Sequence, residues 1–361
     1  MKKISVDCRM LWSSGIGTYL RSVLDRLLAS EKYHFNLIGK EAELLNWLQR
    51  DRKFISVINC DAPIYGIKEQ WKLWRSIPAN SDLYWTPHYV FPLLYAGKLL
   101  VTVCDVGHLA MGEFFSMIPR AYARFMFYML AKRSPQIIAI SQFTKSELVK
   151  YTKIQASNIQ VIHLGHPEIA SDIYREGRNG GFILFVGNVK PNKNLRRVVE
   201  AHQKLYPLIR QPLIILGKKS GFITGDSEVS NLVQRLPREQ VLFTGLVSDQ
   251  ELTDYYRRAT MLVFASLYEG FGLPPLEAMS YGTPVLASRA ASIPEVCGDA
   301  ALYCDPYSID DIAAKMELLV RVKKLRQTLI EKGYERIKLF SWENCASRHL
   351  DVMRMVIGND D

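Results

Sequence analysis

A repeated order of short apolar strand, glycine-containing turn and amphipathic helix constrains the fold of this chain most strongly. The order first appears in residues 2–30, where an alternating strand runs into Gly15 and Gly17 and then into a helix. It restarts at Gly181 with GFILFVG, and a second helix follows near Asn194. Strands that alternate with helices build largely parallel sheets. We therefore expect an α/β protein with two doubly wound, Rossmann-like domains.

The length of the chain and one polar segment indicate where the domains divide. The 361 residues exceed the size at which a single hydrophobic core usually stops growing. Residues 166–180 read HPEIASDIYREGRNG, a polar, glycine-containing composition that is typical of a linker. We therefore expect a first domain at 1–165, a linker at 166–180 and a second domain at 181–340.

The charge and cysteine pattern restricts the possible partners and compartment. Of the net charge of +10, most lies in residues 1–175, which hold 22 Lys/Arg against 14 Asp/Glu. Such a positive field suits a nucleic acid, an anionic membrane or a phosphorylated substrate, but no nucleic-acid-binding motif accompanies it. The six cysteines are scattered without a C-x-x-C pair, and no apolar run reaches the roughly 20 residues of a membrane span. We expect a cytoplasmic protein that binds no nucleic acid and holds no zinc.

The segment 114–133, FFSMIPRAYARFMFYMLAKR, allows two interpretations. It is rich in aromatic residues and methionine, and it carries the basic residues Arg120, Arg124, Lys132 and Arg133. A helix of this kind can lie on a membrane surface with its basic residues towards the lipid headgroups. It can equally be a core helix whose basic residues are solvated.

The stretch 267–282, LYEGFGLPPLEAMSYG, is the most informative candidate site. Glu269 lies in a glycine-flanked turn after an apolar strand, and Pro274 and Pro275 favour a helix start, which places Glu277 in the first turn. Backbone N–H groups at a helix start favour a bound phosphate, and two carboxylates suit the hydroxyls of a sugar and a ribose. In the alternative interpretation, Glu277 only occupies the turn where the helix dipole favours acidic residues.

Other candidate residues follow predicted strands. Asp105 and His108 come after the strand 99–104, and ligands collect at the carboxyl ends of parallel strands, although such residues often only cap a loop. Lys193 stands just before a helix start, where it would bind a diphosphate or simply be solvated. We also expect one continuous helix from residue 309 to about 332.

Taken together, these motifs resemble the retaining nucleotide-sugar transferases of glycosyltransferase family 4, which have the two-domain GT-B fold. The resemblance covers nearly the whole chain. It is strongest in the E-x7-E element of residues 269–277, and it is supported by Gly187, Lys193, the Gly245-Leu246-Val247 turn and the glycines at 15 and 17. It implies two domains that face each other across a cleft, with the acceptor on the first domain. It also implies that the last helix, at 341–361, crosses back to the first domain.

The resemblance also implies roles for single residues. Glu269 would bind the hexose near the reacting carbon, Glu277 the ribose, and Lys193 the diphosphate, while Asp105 and His108 are further catalytic candidates. The remaining donor-binding residues that it implies are Gly15, Gly17, Gly187, Leu246, Val247, Phe271, Gly272 and Leu273. Two positions depart from the family pattern, because Cys104 replaces a histidine that touches the donor sugar and Asn192 replaces an arginine.

The expected function is transfer of a hexose, first of all glucose from UDP-glucose, to a hydroxyl of a growing polysaccharide or lipid-linked saccharide. The alternatives are a GDP-mannose-dependent mannosyltransferase and a non-catalytic subunit that binds a nucleotide sugar. The sequence has no D-x-D triplet, so we expect no metal and no other cofactor. An enzyme of this kind would work in the cytoplasm, at the inner face of the cell membrane if residues 114–133 dock there.

Overall fold

The computed structural model describes residues 1–48, 53–133, 136–167, 181–218 and 227–358. The chain divides into two compact units: unit 1 comprises Met1–Gly165 with Ser341–Asp361, and unit 2 comprises His166–Phe340. Most of the predicted linker, residues 168–180, lies outside the described residues.

Unit 1 is built on a parallel sheet with the strand order β3-β2-β1-β4-β5-β6-β7 among the described residues. Its strands are β1 (Lys3–Asp7), β2 (His34–Gly39), β3 (Ile55–Asn59), β4 (Leu83–Thr86), β5 (Leu99–Val103), β6 (Ile137–Ala139) and β7 (Ile159–Val161). Its helices before the second unit are α1 (Ser14–Ala29), α2 (Glu41–Leu48), α3 (Ile67–Ser76), α4 (Gly107–Ala110), α5 (Met117–Arg133) and α6 (Gln142–Tyr151).

Unit 2 repeats this plan with the parallel order β10-β9-β8-β11-β12-β13. Its strands are β8 (Ile183–Val186), β9 (Leu213–Leu216), β10 (Val241–Gly245), β11 (Met261–Phe264), β12 (Val285–Ser288) and β13 (Ala301–Cys304). Its helices are α7 (Leu195–Ile209), α8 (Ser227–Arg235), α9 (Asp249–Arg258), α10 (Leu273–Ser280), α11 (Ile293–Cys297), α12 (Ile309–Arg321) and α13 (Lys323–Ile337). The last helix, α14 (Trp342–Ile357), returns to unit 1.

The prediction of two parallel-sheet, Rossmann-like domains is confirmed. The central strands of both sheets are buried along their whole length, as expected when helices cover both faces of a parallel sheet. In each sheet the strand order reverses once, between β1 and β4 in unit 1 and between β8 and β11 in unit 2. Such a reversal opens a crevice beyond the carboxyl ends of the two strands, where open α/β sheets bind ligands.

The single helix expected from residue 309 to about 332 is wrong. Two helices, α12 and α13, meet at Val322, whose φ of −101° and ψ of 86° leave the helical region. The guanidinium of Arg326 donates to the carbonyl oxygens of Leu319 and Val320, at 2.7 Å in each case. These bonds satisfy carbonyl groups that the end of α12 would otherwise leave unpaired.

Helix α5 combines features of both interpretations of segment 114–133. One face is buried in the core of unit 1 through Ala123, Met126, Phe127 and Leu130. The opposite face exposes Met117, Ile118, Phe125 and Tyr128, with side chains between 45% and 84% accessible. Across the described residues, no helix combines the length and the apolar character needed to cross a membrane.

Helix α14 is fixed to unit 1 by a buried chain of hydrogen bonds. His349 Nδ1 lies 2.7 Å from the carbonyl oxygen of Cys345, so Nδ1 carries the proton and Nε2 accepts from the Tyr19 hydroxyl at 2.6 Å. The Tyr19 oxygen lies 2.9 Å from the Thr102 hydroxyl, which in turn accepts from Trp85 Nε1 at 3.1 Å. All four side chains are buried, so each bond replaces one that water would make in the unfolded chain.

We expect this chain of bonds to make unit 1 sensitive to acid. Burial lowers the pKa of His349 to about 4, against about 6.5 in an unfolded chain. The unfolded state therefore binds the extra proton first, and the free energy of unfolding falls as the pH drops from about 6.5 towards 4, by up to about 1.4 kcal/mol per pH unit. Urea unfolding between pH 7 and 5, followed by circular dichroism, should show this slope.

The variant His349→Gln cannot titrate and should flatten the slope. A part of the slope should remain, because burial also lowers the pKa of His88 in the same unit, to about 3. An equally steep slope in His349→Gln would show that protonation of this imidazole does not limit the stability of unit 1.

Candidate functional site

The crevice of unit 2 lies between the loops that follow β8 and β11. Asn194, buried and with a φ of +58°, ends a 3₁₀ turn at Pro191–Lys193 and precedes α7. Its amide donates to the carbonyl oxygens of Ala265 at 3.0 Å and Pro306 at 2.7 Å. The neighbouring Asn192 amide donates to the Tyr268 carbonyl oxygen at 3.0 Å. These bonds hold the two loops in fixed register at the end of the sheet.

An ion pair joins the two loops. Lys193 Nζ lies 2.6 Å from Glu269 Oε1, and the side chains are 19% and 12% accessible. The ammonium group also lies 5.6 Å from the centroid of the Phe264 ring. The structure thus brings together the two charged residues that the sequence assigned to the diphosphate and the hexose. Because each side chain keeps some solvent access, an incoming anion can compete with Glu269 for the lysine.

The loop that carries Glu269 is supported from below by Ser292. This serine is fully buried, and its hydroxyl lies 2.8 Å from the carbonyl oxygen of Glu269 and 2.6 Å from that of Phe271. A hydroxyl has one hydrogen to donate, so the two carbonyl groups share it. Gly272 follows with a φ of +121°, a conformation that glycine adopts at low cost, and the chain then enters α10.

Glu277 does not lie in the first turn of its helix, contrary to the sequence prediction. Helix α10 begins at Leu273, before the two prolines, so that Glu277 is its fifth residue. Its carboxylate accepts from the buried Tyr256 hydroxyl at 2.7 Å. Burial raises the pKa of the Glu277 carboxyl, and the bond from Tyr256 opposes that shift. A specific hydrogen bond, and not the helix dipole, therefore sets the position of this carboxylate.

The remaining residues assigned in unit 2 lie at the same edge of the sheet. Gly187 follows β8, and a side chain at the neighbouring Gly217 would meet the Gly187 carbonyl oxygen at 2.2 Å. Leu246 and Val247 follow β10, where Leu246 is 67% accessible. Since all strands are parallel, these residues share one edge with Lys193 and Glu269.

The two glycines assigned in unit 1 differ in their surroundings. Both lie in the first turn of α1. A side chain at Gly17 would meet the Leu11 carbonyl oxygen at 2.5 Å, so this glycine is required for the close packing of the preceding turn. A side chain at Gly15 would meet nothing within 4 Å, so Gly15 has no packing role.

Asp105 and His108 lie beyond β5 in unit 1. The exposed Asp105 carboxylate accepts from the Gly107 backbone N–H at 2.8 Å and so caps the short helix α4, which is the loop-capping alternative considered from the sequence. His108 Nδ1 lies 3.3 Å from the Tyr89 hydroxyl, and its ring centroid lies 4.3 Å from that of Phe115. The Cys104 thiol lies 3.7 Å from the Pro87 carbonyl oxygen, and burial raises its pKa.

Sequence reasoning missed three residues that shape the crevice of unit 2, namely Ser292, Asn194 and Tyr256. Asn194 carried a signal, because asparagine tolerates the left-handed conformation that this turn requires. Ser292 and Tyr256 act on residues 21 to 23 positions away, and nothing local marks them. In the part of the chain that the structure describes, no three His, Cys, Asp or Glu side chains are grouped so that they could hold a metal ion.

Comparison with known proteins finds a family model that matches most of unit 2. Residues 168–336 match the family model described as glycosyl transferases group 1. The chain is 33% identical over 234 residues to O-antigen chain mannosyltransferase B of Escherichia coli, a match that covers 61% of this chain and 60% of that protein. It is 27% identical to O-antigen chain mannosyltransferase RfbU of Salmonella typhimurium, over 78% of this chain and 73% of that protein. The first match thus spans less than two thirds of the relative's own length.

The matches to solved structures cover both units. HepE of Anabaena, in complex with UDP-glucose, superposes with a TM-score of 0.77 at 16% identity, and the match covers 98% of this chain and 100% of that chain. The likeness shows the fold alone: two Rossmann-like units, as in the GT-B glycosyltransferases that are structural neighbours of this chain.

The support that Ser292 gives to the loop can be tested by its removal. We expect Ser292→Ala to lower the free energy of unfolding by about 1–3 kcal/mol, because two buried carbonyl groups lose their shared donor. Ser280→Ala is a matched control, since Ser280 is equally buried but donates to the Leu276 carbonyl oxygen inside α10. Thermal unfolding of both variants measures these losses. Equal and small losses of unfolding free energy in Ser292→Ala and Ser280→Ala would contradict the role of Ser292.

Proposed function

We propose that this chain, which carries a group 1 glycosyltransferase domain at residues 168–336, transfers mannose from GDP-mannose to a hydroxyl group of a saccharide acceptor. The names of the two curated relatives support mannose as the sugar. They do not support glucose from UDP-glucose, which the sequence alone placed first, and they favour the GDP-mannose alternative. The likeness to HepE is too distant in sequence to argue for its donor.

The observation that carries the proposal is the ion pair between Lys193 and Glu269 at the strand reversal of unit 2. Without a donor, each charge neutralises the other in a site of restricted solvent access, where an unpaired charge would be costly. A donor diphosphate offers Lys193 a stronger partner and releases the Glu269 carboxylate for the sugar hydroxyls. The backbone N–H groups of Gly272 and Leu273, which precede the two prolines of α10, add to the binding of the phosphates.

The chemistry that we propose retains the anomeric configuration of the sugar. The bond between the sugar carbon and the β-phosphate oxygen breaks, and the acceptor oxygen bonds to the same face of the sugar. The departing phosphate oxygen takes the acceptor proton, so GDP is the second product. Glu269 orients the sugar, Lys193 stabilises the charge that develops on the leaving diphosphate, and the proposal involves no metal.

Calorimetric titration of the purified chain with GDP, UDP, GDP-mannose and UDP-glucose tests the donor. We expect micromolar affinity for the guanine nucleotides and at least tenfold weaker binding of the uridine nucleotides. Slow release of free mannose from GDP-mannose, at a rate that EDTA does not change, would support a metal-free transferase. Binding without any turnover, even when saccharide acceptors are supplied, would instead favour a non-catalytic binding subunit.

Variants of the ion pair separate binding from turnover. We expect Lys193→Met to weaken GDP binding by about 10- to 100-fold, because a charge-assisted bond to phosphate is worth about 1.5–3 kcal/mol. Glu269→Gln should keep GDP affinity within about threefold and reduce turnover at least 100-fold. Lys204→Met, on the exposed surface of α7, is the control for loss of a lysine and should change neither value. Wild-type turnover in Glu269→Gln would contradict the role of Glu269.

We further propose that the exposed face of α5 contacts an anionic membrane surface, where a lipid-linked acceptor would be held. Phe125 and Tyr128 are 48% and 45% accessible, and Arg124 and Lys132 lie exposed beside them. The other two basic residues are less accessible: Arg133 donates to the carbonyl oxygens of Leu93 and Tyr95, and Arg120 is only partly exposed. Aromatic and basic side chains on one exposed helix face suit the headgroup region of a bilayer.

Vesicle sedimentation tests this contact. Vesicles that contain roughly 30–40% anionic lipid represent an anionic membrane surface. The wild-type chain should sediment with these vesicles, and added salt should release it. The double variant Phe125→Ser, Tyr128→Ser should bind at least fivefold more weakly. Leu208→Ser replaces an exposed apolar residue of unit 2 and serves as the control. Equal sedimentation of the double variant and the control would contradict the contact.

A further inference from the structure

The strand reversal of unit 1 has no role in the proposed donor site. It lies between β1 and β4, and the loops after these strands line a small cavity together with residues from the start of α3. The lining residues are Asp7, Arg9, Met10, Ile64, Glu69, Pro87, His88 and Val90. The cavity of about 10 Å³ holds no more than a water molecule. Because the carboxyl ends of strands at such a reversal are where open α/β sheets bind ligands, the surface beside the cavity is the candidate binding site.

A buried ionic triad forms one side of the cavity. The Arg9 guanidinium lies 2.7 Å from Asp7 Oδ2 and 2.8 Å from Glu69 Oε1, and the three side chains are at most 6% accessible. One guanidinium between two carboxylates leaves a net charge of −1 when both are ionised. Burial raises the pKa of Glu69, although Arg9 opposes that shift. The triad is therefore rigid, and it disfavours an anion in the cavity.

The triad also fixes the backbone of Tyr65. The second oxygen of Glu69 accepts from the backbone N–H groups of Tyr65 at 2.8 Å and Gly66 at 3.3 Å. Tyr65 has a φ of +67°, in the left-handed region that side chains rarely adopt. Strain of this kind persists only where the surroundings enforce it, and it concentrates at functional sites.

This backbone conformation places the Tyr65 ring next to His88, Tyr89 and His108. Tyr65 is 36% accessible. Its ring centroid lies 5.2 Å from that of His88, 5.7 Å from that of His108 and 6.4 Å from that of Tyr89. Phe127 stacks behind Tyr89 at 4.5 Å and supports it from the core. We call Tyr65, His88, Tyr89 and His108 the Tyr65 cluster.

The hydrogen bonds of His88 determine which of its ring nitrogens donates and which accepts. Nδ1 of His88 accepts from the Val90 backbone N–H at 3.2 Å, and burial lowers the pKa of this imidazole to about 3. The neutral ring therefore carries its proton on Nε2 and donates it to the Tyr65 oxygen at 2.9 Å. The Tyr65 hydroxyl also hydrogen-bonds to the Tyr89 hydroxyl, and the Tyr65 side chain is partly exposed.

We propose that the Tyr65 cluster is a carbohydrate subsite, which binds a neutral pyranose ring of the acceptor. This inference rests on the proposed transferase function and adds the acceptor to it. The accessible parts of Tyr65, His88 and His108 offer apolar ring faces to the C–H groups of a sugar and polar atoms to its hydroxyls, and the buried Tyr89 supports them from the core. The triad and the exposed Asp105 carboxylate make the surroundings negative, which selects an uncharged sugar over a phosphorylated one.

Binding of free sugars to the full chain, without any donor, tests the subsite. The probes are α-linked mannotriose, maltotriose and mannose 6-phosphate, measured by ligand-observed NMR and calorimetry. We expect at least one neutral trisaccharide to bind and mannose 6-phosphate to bind at least fivefold more weakly. Tighter binding of the phosphorylated sugar, or no binding of either trisaccharide, would overturn the proposal.

The variant Tyr65→Gly removes the Tyr65 ring from the subsite without destabilising the fold. Glycine adopts the φ of +67° without strain, so the variant removes the ring and not the stability of the turn. We expect its sugar affinity to fall at least fivefold, and its KM for a saccharide acceptor to rise by a similar factor, while its affinity for GDP-mannose stays unchanged. Tyr151→Ala removes another exposed tyrosine of unit 1 and should bind sugars like the wild type.

The two proposals fail in distinguishable ways. Absence of GDP-mannose binding in the wild-type chain would remove the proposed function and leave sugar binding measurable. Unchanged sugar affinity in Tyr65→Gly would remove the subsite and leave the donor site untouched.

Discussion

Buried carbonyl groups at the end of β11 must find donors, and much of the architecture of unit 2 follows from this requirement. The chain leaves the sheet between Ala265 and Gly272, and within this turn the Leu267 backbone N–H donates to the Asn192 carbonyl oxygen at 2.8 Å. Asn192, Asn194 and Ser292 supply the donors from outside the turn. The two asparagines tie the loop after β8 to the turn, and Ser292 ties the loop after β12 to it. The position of Glu269, and with it the ion pair to Lys193, results from this set of bonds.

The strand reversals of the two units share a geometry but differ in charge. In unit 2, one cation meets one carboxylate, and both side chains remain partly accessible. In unit 1, one cation is enclosed by two carboxylates and is almost fully buried. The first arrangement can exchange a partner for an incoming anion, whereas the second has no spare positive charge to offer. The proposals accordingly assign a phosphate-bearing donor to the crevice of unit 2 and an uncharged sugar to the surface beside the strand reversal of unit 1.

The fold was readable from the sequence because local signals repeat. Alternating apolar strands and amphipathic helices indicated two parallel sheets, and the glycines and prolines near residue 272 marked the turn before α10. The break at Val322 was not readable, since it depends on the side chain of Arg326, which pairs with carbonyl groups of the preceding helix. The start of α10 was misplaced by one residue, enough to move Glu277 beyond the first turn.

The sequence predicted several residues of the candidate site but not the contacts between them. Lys193 and Glu269 were singled out separately, but their direct contact spans 76 positions of sequence and depends on the neighbouring positions of β8 and β11 in the sheet. Ser292 and Tyr256 escaped notice because a serine or tyrosine in a helical context has many ordinary uses. The roles assigned to Gly15, Asp105 and His108 stay predictions, and the backbone conformation of Tyr65 had no signature in the sequence.

The return of α14 to unit 1 has a consequence for the order in which the protein is made. Tyr19, Trp85 and Thr102 leave the ribosome well before their partner His349, which follows Tyr19 by 330 positions. Unit 2 is continuous in sequence and is complete before then. Since domains fold as units during synthesis, the second unit can reach its native state while the first still lacks its closing helix. The nascent first unit must therefore keep an apolar groove open while about 180 further residues are translated, the time in which it most needs a chaperone.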